Sequence, residues 1–148
     1  MVAAAGLPFA LHLLRRSNSR EFGKVFEERY VEKAKAVLEA DGWRVQPGYR
    51  LRRGGDVDLL LSKQRTTVAV EIKSFIRWGS FFMFRGKREQ KAVNQALNQC
   101  QQTNADIGII WLPQGRPRLL QQLFGYFMGR RLRLVCGNEY ALKKALPR

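Results

Sequence analysis

"GGDVDLLL" (residues 54–61) and "VAVEIKS" (residues 68–74) decide the fold of this chain. Both stretches are apolar except for charged residues at alternate positions, which is the pattern of β-strands. Because side chains alternate between the two faces of a strand, Glu71 and Lys73 share one face. If the two strands pair as a hairpin, Asp58 and Glu71 converge at one end of the sheet.

This convergence predicts a metal site. Two carboxylates close together in a partly buried place cannot both stay ionised cheaply unless a cation is present. Ligation by oxygen atoms suits Mg²⁺ or Mn²⁺. Lys73, beside Asp58 and Glu71, can orient or deprotonate a water molecule and stabilise negative charge developing on a phosphate.

The patterns on either side predict the remaining elements. Apolar residues recur at three- and four-residue spacing from Ser19 to Ala40, and Gly42 follows as a stop signal. Taken together, the patterns predict helices over 19–40, 87–103, 117–128 and 138–146 and strands over 43–51, 56–62, 67–75, 105–113 and 131–137. The order α-β-β-β-α-β-α-β-α predicts an α/β domain with a mixed central sheet and helices on both faces.

The composition favours a polyanionic partner. The chain has 148 residues, the length of one domain, and its 27 Lys and Arg against 12 Asp and Glu give a net charge of +15. Each phosphate that such a surface neutralises releases counterions, so nucleic acid is the predicted partner. A solvated basic surface, an anionic membrane or an acidic protein partner are the alternatives.

The rare residue types exclude other chemistry. His12 is the single histidine, which excludes a histidine-based zinc site or Ser-His catalysis. Cys100 and Cys136 lack metal-ligand spacing, and two isolated thiols are typical of a reducing compartment.

The N-terminal stretch begins apolar and ends basic, which is the opposite of the charge order of a secretory signal. Its apolar part is too short for a transmembrane helix. We therefore predict an N-terminal arm over residues 1–18, flexible or amphipathic, no transmembrane segment and a cytoplasmic location.

The motifs resemble those of the PD-(D/E)XK, or restriction-endonuclease-like, nuclease superfamily. Asp58 matches the motif aspartate, Glu71 the second acid and Lys73 the motif lysine, while Val57 replaces a proline that does no chemistry. "GDVDLLL" resembles the version found in Holliday-junction resolvase-like and modification-dependent restriction branches. The resemblance covers about residues 20–112 and implies that residues 19–148 form a nuclease domain with an α-β-β-β-α-β core and a C-terminal α-β-α extension.

The same branches place a glutamate on the first helix, often as G-x-x-F-E. This chain has that pattern at residues 23–27, which implies Glu27 at the edge of the site, with Glu28 and Glu32 as rivals. Related nucleases also place a glutamine on the helix after the lysine strand. Gln95 is the first candidate for that glutamine and Gln99 the second, although a polar helix face is the simpler explanation of either.

The segment after Lys73 interleaves aromatic and basic residues. Such platforms stack on bases and contact phosphates, although a protein core or a homodimer interface would use the same aromatics. The predicted nucleic-acid-binding residues are Arg77, Trp78, Arg85, Lys87, Arg88 and Lys91.

The resemblance implies a nuclease that depends on Mg²⁺ or Mn²⁺ and hydrolyses phosphodiester bonds in DNA, of a structure-selective, repair or restriction type. Asp58, Glu71 and the Ile72 carbonyl would bind the metal, and Lys73 would position the water. The alternatives are a non-catalytic nucleic-acid-binding module on the same fold and a basic membrane-surface protein. The pattern specifies a reaction at a phosphodiester and leaves open whether the substrate is duplex, branched, single-stranded or RNA.

Overall fold

The structure of the chain is a computed structural model. It describes residues 7–73, 87–115 and 131–148, with the side chains of 7–20, 22 and 87–89 left out. Three helices and five strands follow one another in these ranges. In chain order they are α1 (Leu7–Ala40), β1 (Arg44–Arg50), β2 (Asp56–Lys63), β3 (Thr66–Ile72), α2 (Lys87–Thr103), β4 (Ile107–Leu112), β5 (Leu132–Cys136) and α3 (Glu139–Ala145).

The strands form one mixed sheet in the order β1-β2-β3-β4-β5. The first three strands are antiparallel neighbours, with Val45 opposite Leu61 and Leu60 opposite Ala69. β4 lies parallel to β3, and β5 lies parallel to β4. The antiparallel half comes from short connections, whereas parallel neighbours need a longer crossover, which α2 provides between β3 and β4.

Helices pack on both faces of the sheet. On one face, α1 and α3 cover a core built around fully buried Leu38, Leu59, Trp111 and Leu142. On the other face, α2 packs through Ala92, Val93 and Ala96 against β4 and β5. A side chain at Gly108 of β4 would collide with Cys100 of α2, so the glycine allows this helix to approach the sheet closely.

This architecture confirms the predicted α/β class, with a mixed sheet between helices. The described strands and the helices α2 and α3 lie where the sequence patterns place them. The predicted start of the first helix at Ser19 is wrong, because α1 begins at Leu7 and continues without interruption past residue 18. Helix propagation adds a hydrogen bond for each residue fixed, so no break is needed where the apolar pattern changes. The predicted helix over 117–128 lies outside the described residues.

Candidate active site

The β2–β3 hairpin opens at the end where the acidic residues lie. The pairing of the two strands extends from Lys63 opposite Thr66 to Leu59 opposite Val70. One residue further on, the Ile72 amide donates to Asp58 Oδ2 at 2.6 Å. The Asp58 carboxylate thus accepts a hydrogen bond from a backbone amide of β3, beyond the last paired residues of the hairpin.

Glu71 is held from two sides. Lys73 Nζ donates to Glu71 Oε1 at 2.5 Å, which makes a charge-assisted hydrogen bond between residues on one face of the strand. Gln99 Nε2, on α2, donates to Glu71 Oε2 at 2.6 Å and to the Asp56 carbonyl oxygen at 2.9 Å. The two carboxylate oxygens therefore have separate donors, and the orientation of the carboxylate is fixed.

The buried polar side chains of the described residues all belong to this place. They are Asp58, Glu71 and Gln99, which are 8%, 3% and 2% exposed. Acidic residues are almost never buried without a partner or a role, because removing a charge from water is costly. Because the described part of the chain gathers three such side chains at one sheet end, this place is the candidate functional site.

Electrostatics at this end penalise negative charge. Burial, together with the neighbouring charge of Glu71, raises the pKa of Asp58 to about 9, although the Ile72 amide pulls the other way. Burial also raises the pKa of Glu27, whose carboxyl shares a side-chain hydrogen bond with Asp58. Burial and mutual repulsion thus disfavour the ionised forms of both Asp58 and Glu27, and a bound proton or a cation would relieve this cost.

Of Glu27, Glu28 and Glu32 on α1, the structure brings Glu27 to the site. Its side chain is half-buried and bonds Asp58, whereas the side chains of Glu28 and Glu32 are exposed. The reason is helical spacing, because Phe26 and Ala34 are buried on the face toward the sheet and Glu27 flanks that stripe.

Glutamines of α2 line the site at helical spacing. Gln95 Oε1 accepts from Lys73 Nζ at 3.4 Å, and Gln99 binds Glu71. One turn further along, Gln102 Oε1 accepts from the Arg53 amide at 3.2 Å. The polar stripe was visible in the sequence, but burial ranks its members differently: Gln99 makes the short buried contacts, and Gln95, the first candidate, makes a long and partly exposed one.

The predicted metal ligands lie at this end of the hairpin. Among the described residues, no three His, Cys, Asp or Glu side chains are grouped so that they could hold a metal ion together. The predicted set needs only two, Asp58 and Glu71, with the backbone of Ile72. Gln99 Oε1 is buried and has no hydrogen-bond partner within the described part of the chain, while Gln99 Nε2 is committed to two acceptors. A cation or a water molecule bound to it would satisfy that oxygen and the crowded carboxyls, so the donor set fits a divalent ion.

The predicted nucleic-acid-binding residues are only partly described. Arg77, Trp78 and Arg85 lie outside the described residues, and Lys87 and Arg88 start α2 with side chains that are not described. Lys91 is exposed on α2, one helical turn before Gln95. Such a position is accessible to a phosphate.

The described helices do not include one with both the length and the apolar character needed to cross a membrane. The sequence matches no protein-family profile and no curated protein. A similar solved structure is that of an XisH family protein from Nostoc punctiforme, with 16% identity and a TM-score of 0.46, over 76% of this chain and 93% of that chain.

Proposed function

We propose that this chain is a divalent-metal-dependent nuclease that hydrolyses phosphodiester bonds in DNA. The observation that carries the proposal is the gathering of the buried polar side chains, Asp58, Glu71 and Gln99, around one partly exposed lysine, Lys73. A purely structural ion pair would not need a second buried acid. The net charge of +15 supplies the attraction for a polyanionic substrate.

Asp58, Glu71 and the Ile72 carbonyl would hold Mg²⁺ or Mn²⁺, and the bound ion would polarise the phosphate and lower the pKa of a bound water. Asp58 and Glu71, at the opened end of the hairpin, would form the binding site for this ion. With the Asp58 pKa near 9 in the absence of a cation, binding of a divalent ion is coupled to loss of a proton from the Asp58–Glu27 pair. Glu27, half-buried beside Asp58, would assist by holding the ion through a water molecule.

Lys73 acts on the substrate side. An ammonium group has three donors, of which Glu71 takes one at 2.5 Å and Gln95 a second at 3.4 Å. The third is available to orient the attacking water and to stabilise charge on the phosphate oxygens. The water would lose a proton to the solvent as its oxygen bonds to phosphorus, and the leaving sugar oxygen would take up a proton from the solvent as its bond to phosphorus breaks in line.

A cleavage assay tests the proposal. Purified protein is incubated with duplex, single-stranded, flap and four-way-junction DNA in Mg²⁺, Mn²⁺ or EDTA. We expect cleavage of at least one substrate with metal and none in EDTA. The substrate panel also identifies the preferred DNA structure, and an RNA strand in the panel distinguishes the two nucleic acids.

The Glu71→Ala variant separates catalysis from binding. We expect it to bind the preferred substrate and to leave it uncut. Cleavage that survives both EDTA and this substitution would contradict the proposed chemistry. Binding by the wild-type protein without cleavage under any metal condition would instead favour a non-catalytic binding module on the same fold. The cytoplasmic location belongs to this proposal and rests on the sequence alone.

A further inference from the structure

A tight turn carrying two arginines joins β1 to β2, immediately before the candidate active site. The Gly54 amide donates to the Leu51 carbonyl oxygen at 3.3 Å, and the Leu51 amide donates to the Gly55 carbonyl oxygen at 3.0 Å. These bonds put Arg52 and Arg53 at the two central positions of a β-turn. Both side chains are exposed.

The glycines of this turn leave space beside it. Gly54 and Gly55 adopt φ angles of 88° and 87°, in the left-handed region that other residues rarely enter. A Cβ atom at either position would have no described heavy atom within 4 Å. A ligand can therefore approach the backbone of the turn closely.

The turn is fastened to the active site by the glutamines of α2. Gln102 Oε1 accepts from the Arg53 amide at 3.2 Å, and Gln99 Nε2 donates to the Asp56 carbonyl oxygen at 2.9 Å. The same Gln99 nitrogen holds Glu71. On the other side of the turn, Leu51 is buried in a small core with Val57. The two arginines are thus held in a fixed position relative to the acidic residues.

The charges of Arg52 and Arg53 are not neutralised within the described part of the chain. The ion pairs found there join Lys63 and Lys143 to Asp41, and Lys73 to Glu71. Guanidinium groups match phosphate oxygens in a two-pronged geometry and remain charged at any physiological pH. Two of them at the tip of an anchored, open turn are suited to a phosphate backbone.

We propose that the turn Leu51–Gly55 is a phosphate-binding loop, in which Arg52 and Arg53 contact the nucleic-acid backbone beside the phosphodiester that reacts. The inference rests on the proposed function, because it assumes a nucleic-acid substrate at Asp58 and Glu71. Backbone contacts of this kind set the position of a strand and carry no sequence information. The loop would therefore position the substrate strand at the active site and would not select a base sequence.

Salt-dependent DNA binding tests the loop separately from catalysis. Fluorescence anisotropy of a labelled DNA duplex in EDTA, over a range of salt concentrations, measures binding without cleavage. We compare two double variants, Arg52→Gln/Arg53→Gln and Arg44→Gln/Arg65→Gln. The second removes the same charge from exposed positions at the other end of the antiparallel half of the sheet. Along β2, Asp58 is already roughly 17 Å from Lys63, which precedes Arg65.

We expect the loop variant to bind more weakly and to lower the slope of log K against log salt by about 1.8, which is about 0.9 for each lost phosphate contact. The Arg44/Arg65 variant should keep a slope near that of the wild type. Arg52→Lys/Arg53→Lys retains the charges and should keep most of the slope, which would show that the slope follows the charge at these two positions.

Equal losses of slope in the two Gln variants would overturn the proposed phosphate-binding role of the loop, even if the wild-type protein cleaves DNA. So would an unchanged slope in the loop variant. A loop variant that keeps its DNA affinity but loses flotation with phosphatidylserine vesicles would assign the arginines to a membrane surface and would equally overturn the proposal. Absence of cleavage in Mg²⁺ with the expected slopes would contradict the nuclease and leave the phosphate-binding loop supported.

Discussion

The β2–β3 hairpin has acidic groups near both of its ends, and they are stabilised in opposite ways. At the turn end, Asp41 Oδ2 lies 3.6 Å from Lys63 Nζ, and Asp41 Oδ1 lies 3.2 Å from Lys143 Nζ. All three side chains are partly exposed to solvent. The hydrogen bond with Lys143 lowers the pKa of Asp41. At the open end, Asp58 is buried beside Glu71, and its pKa rises to about 9. An ion pair that only holds a helix and a strand together can stay exposed to water. Burying Asp58 and Glu71 costs desolvation free energy, and a purely structural role does not require that cost.

The largest expected effect separates the lysines of the two ends. Lys73→Ala should reduce metal-dependent DNA cleavage by about 10²–10³-fold, as loss of one positioned donor to a developing charge does. Lys63→Ala, which removes the same group from the turn end, should leave the cleavage rate near that of the wild type. Single-turnover cleavage of the preferred DNA substrate measures both. Equal rates for the two variants would remove the functional distinction between the ends.

The next effect concerns the orientation of Glu71. Gln99→Ala should lower the cleavage rate by about 10–100-fold, as loss of a residue that orients a metal ligand does. Gln95→Ala breaks a 3.4 Å partly exposed contact and should cost a factor of about two to three, the lower end of a net hydrogen-bond contribution. The metal concentration for half-maximal cleavage should rise for Gln99→Ala only. A larger effect at Gln95 would reverse the ranking that burial indicates.

The last contrast is in stability and not in the cleavage rate. Because the folded Asp58 carboxyl has a pKa of about 9 and the reference value is 3.8, the folded chain holds a proton that the unfolded chain has lost between these values. The free energy of unfolding in EDTA should therefore fall as the pH rises from about 4 to about 9. Asp58→Asn should flatten this dependence, as measured by urea denaturation at several pH values.

Asp41→Asn is the matched control for that measurement. A lowered pKa contributes stability that is present above the reference value of 3.8 and is lost as the pH falls below it. The substitution should therefore leave the change between pH 5 and pH 9 as it is in the wild type. If Asp41→Asn flattened the profile and Asp58→Asn did not, the contrast between the two ends would be wrong.

Much of the fold could be predicted because it follows from local patterns. Alternation of apolar and charged residues identified β2 and β3, and the i, i+4 stripe through Phe26 and Ala34 identified the second half of α1. The start of α1 was missed because a helix, once formed, extends by one hydrogen bond for each residue fixed and needs no continuation of its apolar stripe. The sequence could not rank Gln95 against Gln99, since spacing places both glutamines on one helix face but does not show which of them is covered.

The sequence by itself determined the residue types and their alternation: two acids and a lysine on neighbouring strands, a glutamate beside an apolar helix stripe, and a large positive charge. The tertiary structure decided which of those residues are buried and which of them contact one another. Packing of α2 against β3 and β4 buried Gln99 onto Glu71, and the same packing tied the Arg52–Arg53 turn to the site. Desolvation and charge proximity depend on contacts between residues far apart in the chain, so the raised pKa of Asp58 could not be read from its neighbours in sequence.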